Sequence, residues 1–213
     1  MTHTLLPIAY AGPISHWIPI CKEQAIVWEV EDNYQKQTYR NRMEIHAANG
    51  KLMLSIPIKH LGYDGHQKYK DVSIANTFPW QRKHWLSIKT AYQSSPFFEY
   101  YEYDISPLYQ NTYESLIDFN KEIIKTICEL LQVPTAVKTT TIYEKESQYD
   151  DLRHLIHEKN HQTDINNTAA SGNVPADLWG GHINMSPSEG FGFKSLIGNW
   201  QLDCPSTHAC ATN

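Results

Sequence analysis

Thr4-Leu5-Leu6-Pro7-Ile8-Ala9-Tyr10 reads as a short buried strand, and Ala11-Gly12-Pro13 closes it. Proline at that point sits where a helix can begin, and Ile14, Trp17, Ile18 and Cys21 then recur at helical spacing. A second apolar run, Gln24 to Val30, follows as a strand. A strand, a Gly-Pro turn, a helix and a second strand form the usual opening of an α/β layout. In such layouts the loop after the first strand often faces a ligand.

Working outward, the segment from Asn33 to Arg42 carries the densest polar signal. If it is extended, Tyr34, Lys36, Thr38, Arg40, Arg42 and Glu44 share one face. Ala48-Asn49-Gly50-Lys51 then reads as a hairpin turn, with Leu52 to Ile58 as the returning strand and Tyr69 to Ala75 as another. Trp80 to about Tyr92 predicts a helix with Trp80, His84, Ile88 and Ala91 along one stripe. An aromatic and acidic run, Phe97 to Asp104, follows Ser94-Ser95-Pro96. A further helix spans about Thr112 to Leu131, with Leu116, Phe119, Ile123, Ile127 and Leu130 on its apolar face, and Lys138 to Tyr143 is the last strand. The pattern predicts an α/β fold: a mixed sheet flanked by helices, a single domain with an irregular C-terminal tail. The domain covers residues 1–150. Residues 151–213 form a divergent segment rich in Asn, Ser and Gly, expected to be partly disordered.

Composition sets limits. The 213 residues are 41% hydrophobic and 19% charged, inside the globular range. Together the 13 Tyr and 6 Trp outnumber the 6 Phe and tilt the chain toward a ligand surface, since both residues pair apolar bulk with a polar edge. A net charge of −5 argues against nucleic acid as a partner. No run reaches the roughly 20 apolar residues of a membrane helix, so no membrane insertion is expected, and with no secretory leader read in Leu5 to Ala11 a cytoplasmic chain with reduced thiols is the expectation. Cys204, His208 and Cys210 offer three zinc ligands at a spacing that fits no familiar finger, so no metal and no cofactor are expected.

Several blocks together resemble a known family. Leu6-Pro7-Ile8-Ala9-Tyr10-Ala11-Gly12-Pro13-Ile14, Tyr34 to Arg42, Ala48-Asn49-Gly50 with Leu54-Ser55-Ile56-Pro57-Ile58, Trp80-Gln81-Arg82 with His84-Trp85, and Ala91-Tyr92 with Ser94 to Tyr101 are similar, in order and spacing, to the WbqC-like family. The resemblance runs from about residue 5 to 104, and the helix to Leu131 fits it. The family's closing segment is matched only by Gly190-Phe191-Gly192-Phe193 and Asn184-Met185-Ser186. The resemblance implies a bacterial protein of surface polysaccharide (O-antigen) biosynthesis. Attachment of acyl or aminoacyl groups to a nucleotide-linked amino sugar is one activity suggested for such proteins.

Lys36, Arg40 and Arg42 suit a phosphate or carboxylate, because guanidinium forks grip oxyanions bidentately and lysine adds a point charge. A solvated face, or ion pairs to Glu31, Asp32 or Glu44, explains them as well. Asn41 lies between the arginines and joins the ligand-binding set, as do Tyr10 and Gly12 after the first strand, where glycine permits close backbone approach. The small-molecule substrate expected there is a nucleotide-sugar or another phosphorylated ligand. His84 is a candidate general base that titrates near neutrality, with Glu99 or Asp104 to orient it and Glu99 grouped with the catalytic set. A histidine satisfied within the core is the alternative. Cys21 and Cys128 fall on apolar helical faces where thiols are inert. Two function classes remain: an acyl or aminoacyl transferase, and a non-catalytic sugar-phosphate-binding or scaffold protein.

Overall fold

The computed structural model describes residues 3–22, 25–59, 67–133 and 138–157. Strand β1 (His3–Pro7) leads through helix α1 (Ile14–Cys21) into β2 (Ala25–Glu29), which pairs with it in parallel, His3 against Ala25 through Pro7 against Glu29. Two short strands complete this sheet in parallel: β5 (Lys138–Thr139) beside β2, and β6 (Asp150–Asp151) beside β1. The order is β5-β2-β1-β6, so the two longest strands lie in the middle. The chain thus winds outward from β1 to β2 and later returns to the opposite side of β1. In open parallel sheets that reversal creates a crevice beyond the carboxyl ends of the strands.

Between β2 and β5 lies the rest of the fold. β3 (Arg42–Ala47) and β4 (Gly50–Ser55) form an antiparallel hairpin, with Ala47 opposite Gly50 across a two-residue turn. Gly50 takes φ +104°, a conformation that side chains rarely adopt. Helices α2 (Trp80–Tyr92), α3 (Phe98–Gln110) and α4 (Leu116–Leu131) follow. Ser115 caps α4 by accepting from the Asp118 N–H, and Gln132 ends it in the left-handed conformation. Leu116, Phe119, Ile123 and Ile127 of α4 are buried, as the periodicity requires. One apolar core runs from Leu6, Ile8 and Trp28 through Ile45, Ile56 and Trp80 to Phe119. The α/β class read from the sequence is the observed one, with the hairpin forming its own two-stranded sheet.

Local readings differ in several places. Residues 34 and 35 are irregular, 36–41 are turns, and strand begins only at Arg42. Tyr69–Asp71 is a 3-10 turn, and the expected strand there reduces to single bridges at Ser73 and Ile74. The strand expected over 138–143 is two residues long. Phe98 to Asp104 opens α3, and α1 buries Trp17 and Ile20 while Ile18 stays half-exposed. Pro19 inside α1 and the short length of that helix weaken its periodicity as a guide. Leu155 belongs to the core, and Ile156 packs with Ala9 and Tyr39, so the described fold continues to His157. Residues beyond it, including Cys204, His208 and Cys210 and most of the C-terminal segment, lie outside the described residues. Among the described residues no helix is long and apolar enough to cross a membrane.

Asn120, fully buried on α4, donates through Nδ2 to the Arg40 carbonyl and to the Tyr69 hydroxyl, both at 2.7 Å. Asn120→Ala strips both acceptors of their partner in a dry environment and is expected to cost about 2–3 kcal/mol. Urea unfolding reads this as a lower midpoint at unchanged slope. An unchanged midpoint would show that the contact does not hold α4 to the turn.

Candidate functional site

The segment after β2 sets the site. Glu29, 1% exposed at the end of β2, accepts from the Thr140 hydroxyl and the Glu31 N–H through Oε1, both at 2.8 Å. Its Oε2 lies 3.5 Å from Arg153 Nη1. Three residues on, Asp32 accepts from Arg40 Nη2, and both residues are buried. The Arg40 guanidinium also lies over the Tyr69 ring, 5.4 Å from its centre. Gln37 at φ +61° and a bond from the Thr38 hydroxyl to the Gln35 carbonyl turn the chain, so that Arg40 points inward.

From the other side of the sheet comes Arg153, just past β6. Its Nε donates to both Asp151 oxygens at 2.9 and 3.0 Å, and Nη2 donates to Oδ2 at 2.5 Å. Nη1 and Nη2 reach the carbonyls of Glu144 and Lys145, and the guanidinium covers the Tyr143 ring at 4.9 Å. Between these two ion pairs opens a cleft of about 460 Å³ beyond the carboxyl ends of the central strands. Its polar walls include Asn33, Gln35, His154 and His157 beside the paired charges, and Tyr143 gives it an aromatic face. Burial pushes the Asp32 carboxyl upward, against the opposing pull of Arg40. Burial, with Arg40 and His154 nearby, lowers His157, so its imidazole is neutral at pH 7.

The structure separates the residues singled out from sequence. Arg40 lines the cleft. Lys36 is exposed on the turn, and Arg42 is half-buried at the start of β3, so the three cations do not share a strand face. The turn at Gln37 is the physical reason. Asn41 extends the hairpin pairing, with Nδ2 donating to the Ile56 carbonyl at 3.1 Å. Gly12, at φ +48°, lets the His16 ring lie where a Cβ would come within 3.0 Å of it. Tyr10 turns into the core, where its hydroxyl lies 2.9 Å from His84 Nδ1 and 3.0 Å from the Tyr109 hydroxyl. Glu99 is exposed on the first turn of α3.

His84 therefore belongs to a buried relay. Its Nδ1, the Tyr10 hydroxyl and the Tyr109 hydroxyl form one chain of buried hydrogen bonds, and the ring also bonds the Ser55 backbone. Burial depresses His84 to about 4, so the titration near neutrality expected from its sequence setting does not occur. Cys21 and Cys128 are pushed up to about 11 by burial and stay protonated, in line with inert thiols. Among the described residues no group of three metal-ligating side chains converges.

Sequence reasoning missed Asp32, Asp151, Arg153, His154 and His157 as cleft residues. Asp32 entered only as an ion-pair partner, and residues from 151 on were assigned to a tail. The strand Asp150–Asp151, which carries Asp151 and places Arg153, His154 and His157 after it, is two residues long and has no periodicity to detect.

A family model described as the WbqC-like protein family matches residues 20–180. No curated protein and no solved structure matches the chain.

The depressed His84 fixes a sign for acid sensitivity. Between about pH 6.5 and 4 the unfolded chain binds a proton at this ring and the folded chain does not, so stability falls as pH falls through that window. The full contribution is about 3 kcal/mol. Urea unfolding at pH 7 and pH 4.5 is expected to show a smaller drop in His84→Gln than in the parent chain. Equal drops in both would locate the acid sensitivity elsewhere.

Proposed function

The chain belongs to the WbqC-like protein family, and from that premise we propose that it acts in bacterial surface polysaccharide biosynthesis, in the cytoplasm, by binding a nucleotide-linked amino sugar in the cleft at the carboxyl edge of its parallel sheet. The observation that carries this reading is the cleft's lining. Planar amide, carboxylate, guanidinium and imidazole groups stand around about 460 Å³, with one tyrosine ring on the wall. Such groups exchange paired hydrogen bonds with neighbouring sugar hydroxyls, and an aromatic face packs against the apolar side of a pyranose.

Acyl or aminoacyl transfer to the amine is the finer form of the proposal. Transfer requires two substrates in one place. A second cavity of about 250 Å³ adjoins the first across the Glu29–Arg153 pair, with Thr139, Thr140, Thr141, Ser147 and Gln148 among its walls. It supplies room for an activated acyl group. The rival reading is a non-catalytic sugar-phosphate-binding or scaffold protein. What favours it is the saturation of Arg153 by Asp151 and two carbonyls, together with the locked neutral state of His84. These groups hold structure and have little freedom to react.

A thermal-shift screen of nucleotide-sugars tests the shared premise. A ligand at 100 times its dissociation constant adds about 2.7 kcal/mol of stability. Gln35→Ala and Tyr143→Ala, both exposed cleft residues, are each expected to weaken the hit about tenfold, the worth of one good polar or stacking contact. Tyr103→Ala on α3, outside the cleft lining, is expected to leave it unchanged. A hit equally strong in all three variants would remove the cleft as the site. A bound sugar that no activated acyl donor converts would favour the scaffold reading.

A further inference from the structure

We propose that the outer face of helices α2 and α3 docks a second copy of this chain, in a two-fold dimer centred on Leu86 and Tyr103. The dimer does not depend on what the cleft binds.

α2 and α3 form a helical hairpin. The link between them, residues 93–97, is short, so they run antiparallel. Trp85 of α2 stacks on both Phe98 and Tyr109 of α3, and Lys89 Nζ donates to Glu102 at 2.5 Å, which sets their relative height. One side of each helix is buried: His84 and Ile88 on α2, Phe98, Ile105 and Tyr109 on α3. A step of two residues turns a helix by about 200°, so Leu86 stands opposite His84 and Ile88, and Tyr103 opposite Ile105. Leu86 is 62% exposed, Tyr103 84% and Tyr100, one turn from Tyr103, 66%. Exposed apolar groups gathered on one face, unlike those scattered singly, mark interaction surfaces. Tyrosine is also enriched among the residues that dominate interface energies.

Charge selects the occupant. Arg82 lies four residues before Leu86, Glu99 lies four before Tyr103, and both are exposed. Because the helices are antiparallel, the two charges stand at opposite ends of the face, each about 6 Å along the axis from its centre. A two-fold axis across both helices at Leu86 and Tyr103 turns a second copy end for end. Leu86 then meets Leu86 and Tyr103 meets Tyr103, while Arg82 of each copy comes over the end that carries Glu99 of the other. The contact recurs at both ends, as a two-fold interface requires. Like charges do not meet, since the same rotation sets Arg82 over Thr90 and Glu99 over Pro107, both uncharged. A partner of one charge sign would meet a like charge at one end of this face, whereas a second copy meets an opposite charge at both.

The size of the face sets the strength. Two 13-residue helices side by side present about 20 Å by 20 Å. Two copies together thus bury on the order of 1,000 Å², the lower limit of a specific interface. Dissociation in the micromolar range is expected.

Sedimentation velocity on the intact chain, from about 1 to about 200 µM, brackets that range. A monomer–dimer equilibrium is expected within it, and Leu86→Glu is expected to remain monomeric throughout. Arg82→Glu and Glu99→Arg are each expected to weaken the dimer about tenfold by opposing like charges, and the chain carrying both is expected to regain the parent's dissociation constant. All three positions are exposed on helix surfaces, and circular dichroism checks that each variant folds. Tyr143→Ala in the cleft is expected to leave the equilibrium unchanged, which separates the dimer from the sugar site. A monomer at every concentration would overturn the proposal, and so would a dimer that Leu86→Glu leaves intact. Charge reversals that fail to restore one another would overturn the two-fold arrangement.

Discussion

The burial of Arg40 is the constraint on which the rest of this structure depends. A guanidinium cannot be deprotonated, so a chain that takes one out of water must surround it. Asp32 takes one edge, the Tyr69 ring takes a face, and Asn120 takes the carbonyl of the same residue. Those partners come from the end of β2, the 3-10 turn and α4. The neighbouring Tyr39 bonds on both sides, its N–H to the Ile156 carbonyl and its carbonyl to the Tyr10 N–H. One residue and its neighbour therefore tie the parallel sheet, the hairpin, the helices and the segment after β6 together.

Such an arrangement specifies more than it stabilises. Breaking a buried pair by removing one partner costs several kcal/mol, yet replacing the whole pair with apolar groups is often harmless. The same holds for the Tyr109–Tyr10–His84 relay, which satisfies three buried polar groups that hydrocarbon would make unnecessary. Cores that keep such networks accept only one arrangement of their neighbours, and here the arrangement brings the end of β2 and the end of β6 to opposite walls of one cleft. Specificity of fold and shape of site come from the same bonds.

This explains what was legible in the sequence. Helices α2 and α4 announce themselves because their apolar faces repeat with helical period over three turns or more, and the hairpin because Asn49-Gly50 sits between two strand-like runs. The β1–α1–β2 unit is legible from its Gly-Pro turn. Residues 34–41 mislead because alternation of polar side chains looks the same in a strand and in a turn, and only the tertiary partners of Arg40 decide between them. β6 is invisible because two residues carry no period. The candidate site shares that fate: Arg40 stands out by charge, whereas Asp151 and Arg153 gain meaning only when β6 pairs with β1.

The placement of the cleft follows from the winding of the sheet. Because β1 and β2 are the longest strands of the parallel sheet and lie centrally, their carboxyl ends are fixed by continuous parallel pairing. The outer strands are two residues each and have little pairing of their own, so side chains must anchor them. Thr140 does so by bonding Glu29 and the Val30 N–H, and Arg153 does so through Asp151 and the carbonyls of 144 and 145. Glu29 is shared by both anchors. A single buried carboxylate at the end of β2 thus meets the β5 side through a hydroxyl and the β6 side through a guanidinium, and these partners with the Glu31 N–H offset its burial. The walls of the two cavities thus meet at one carboxylate.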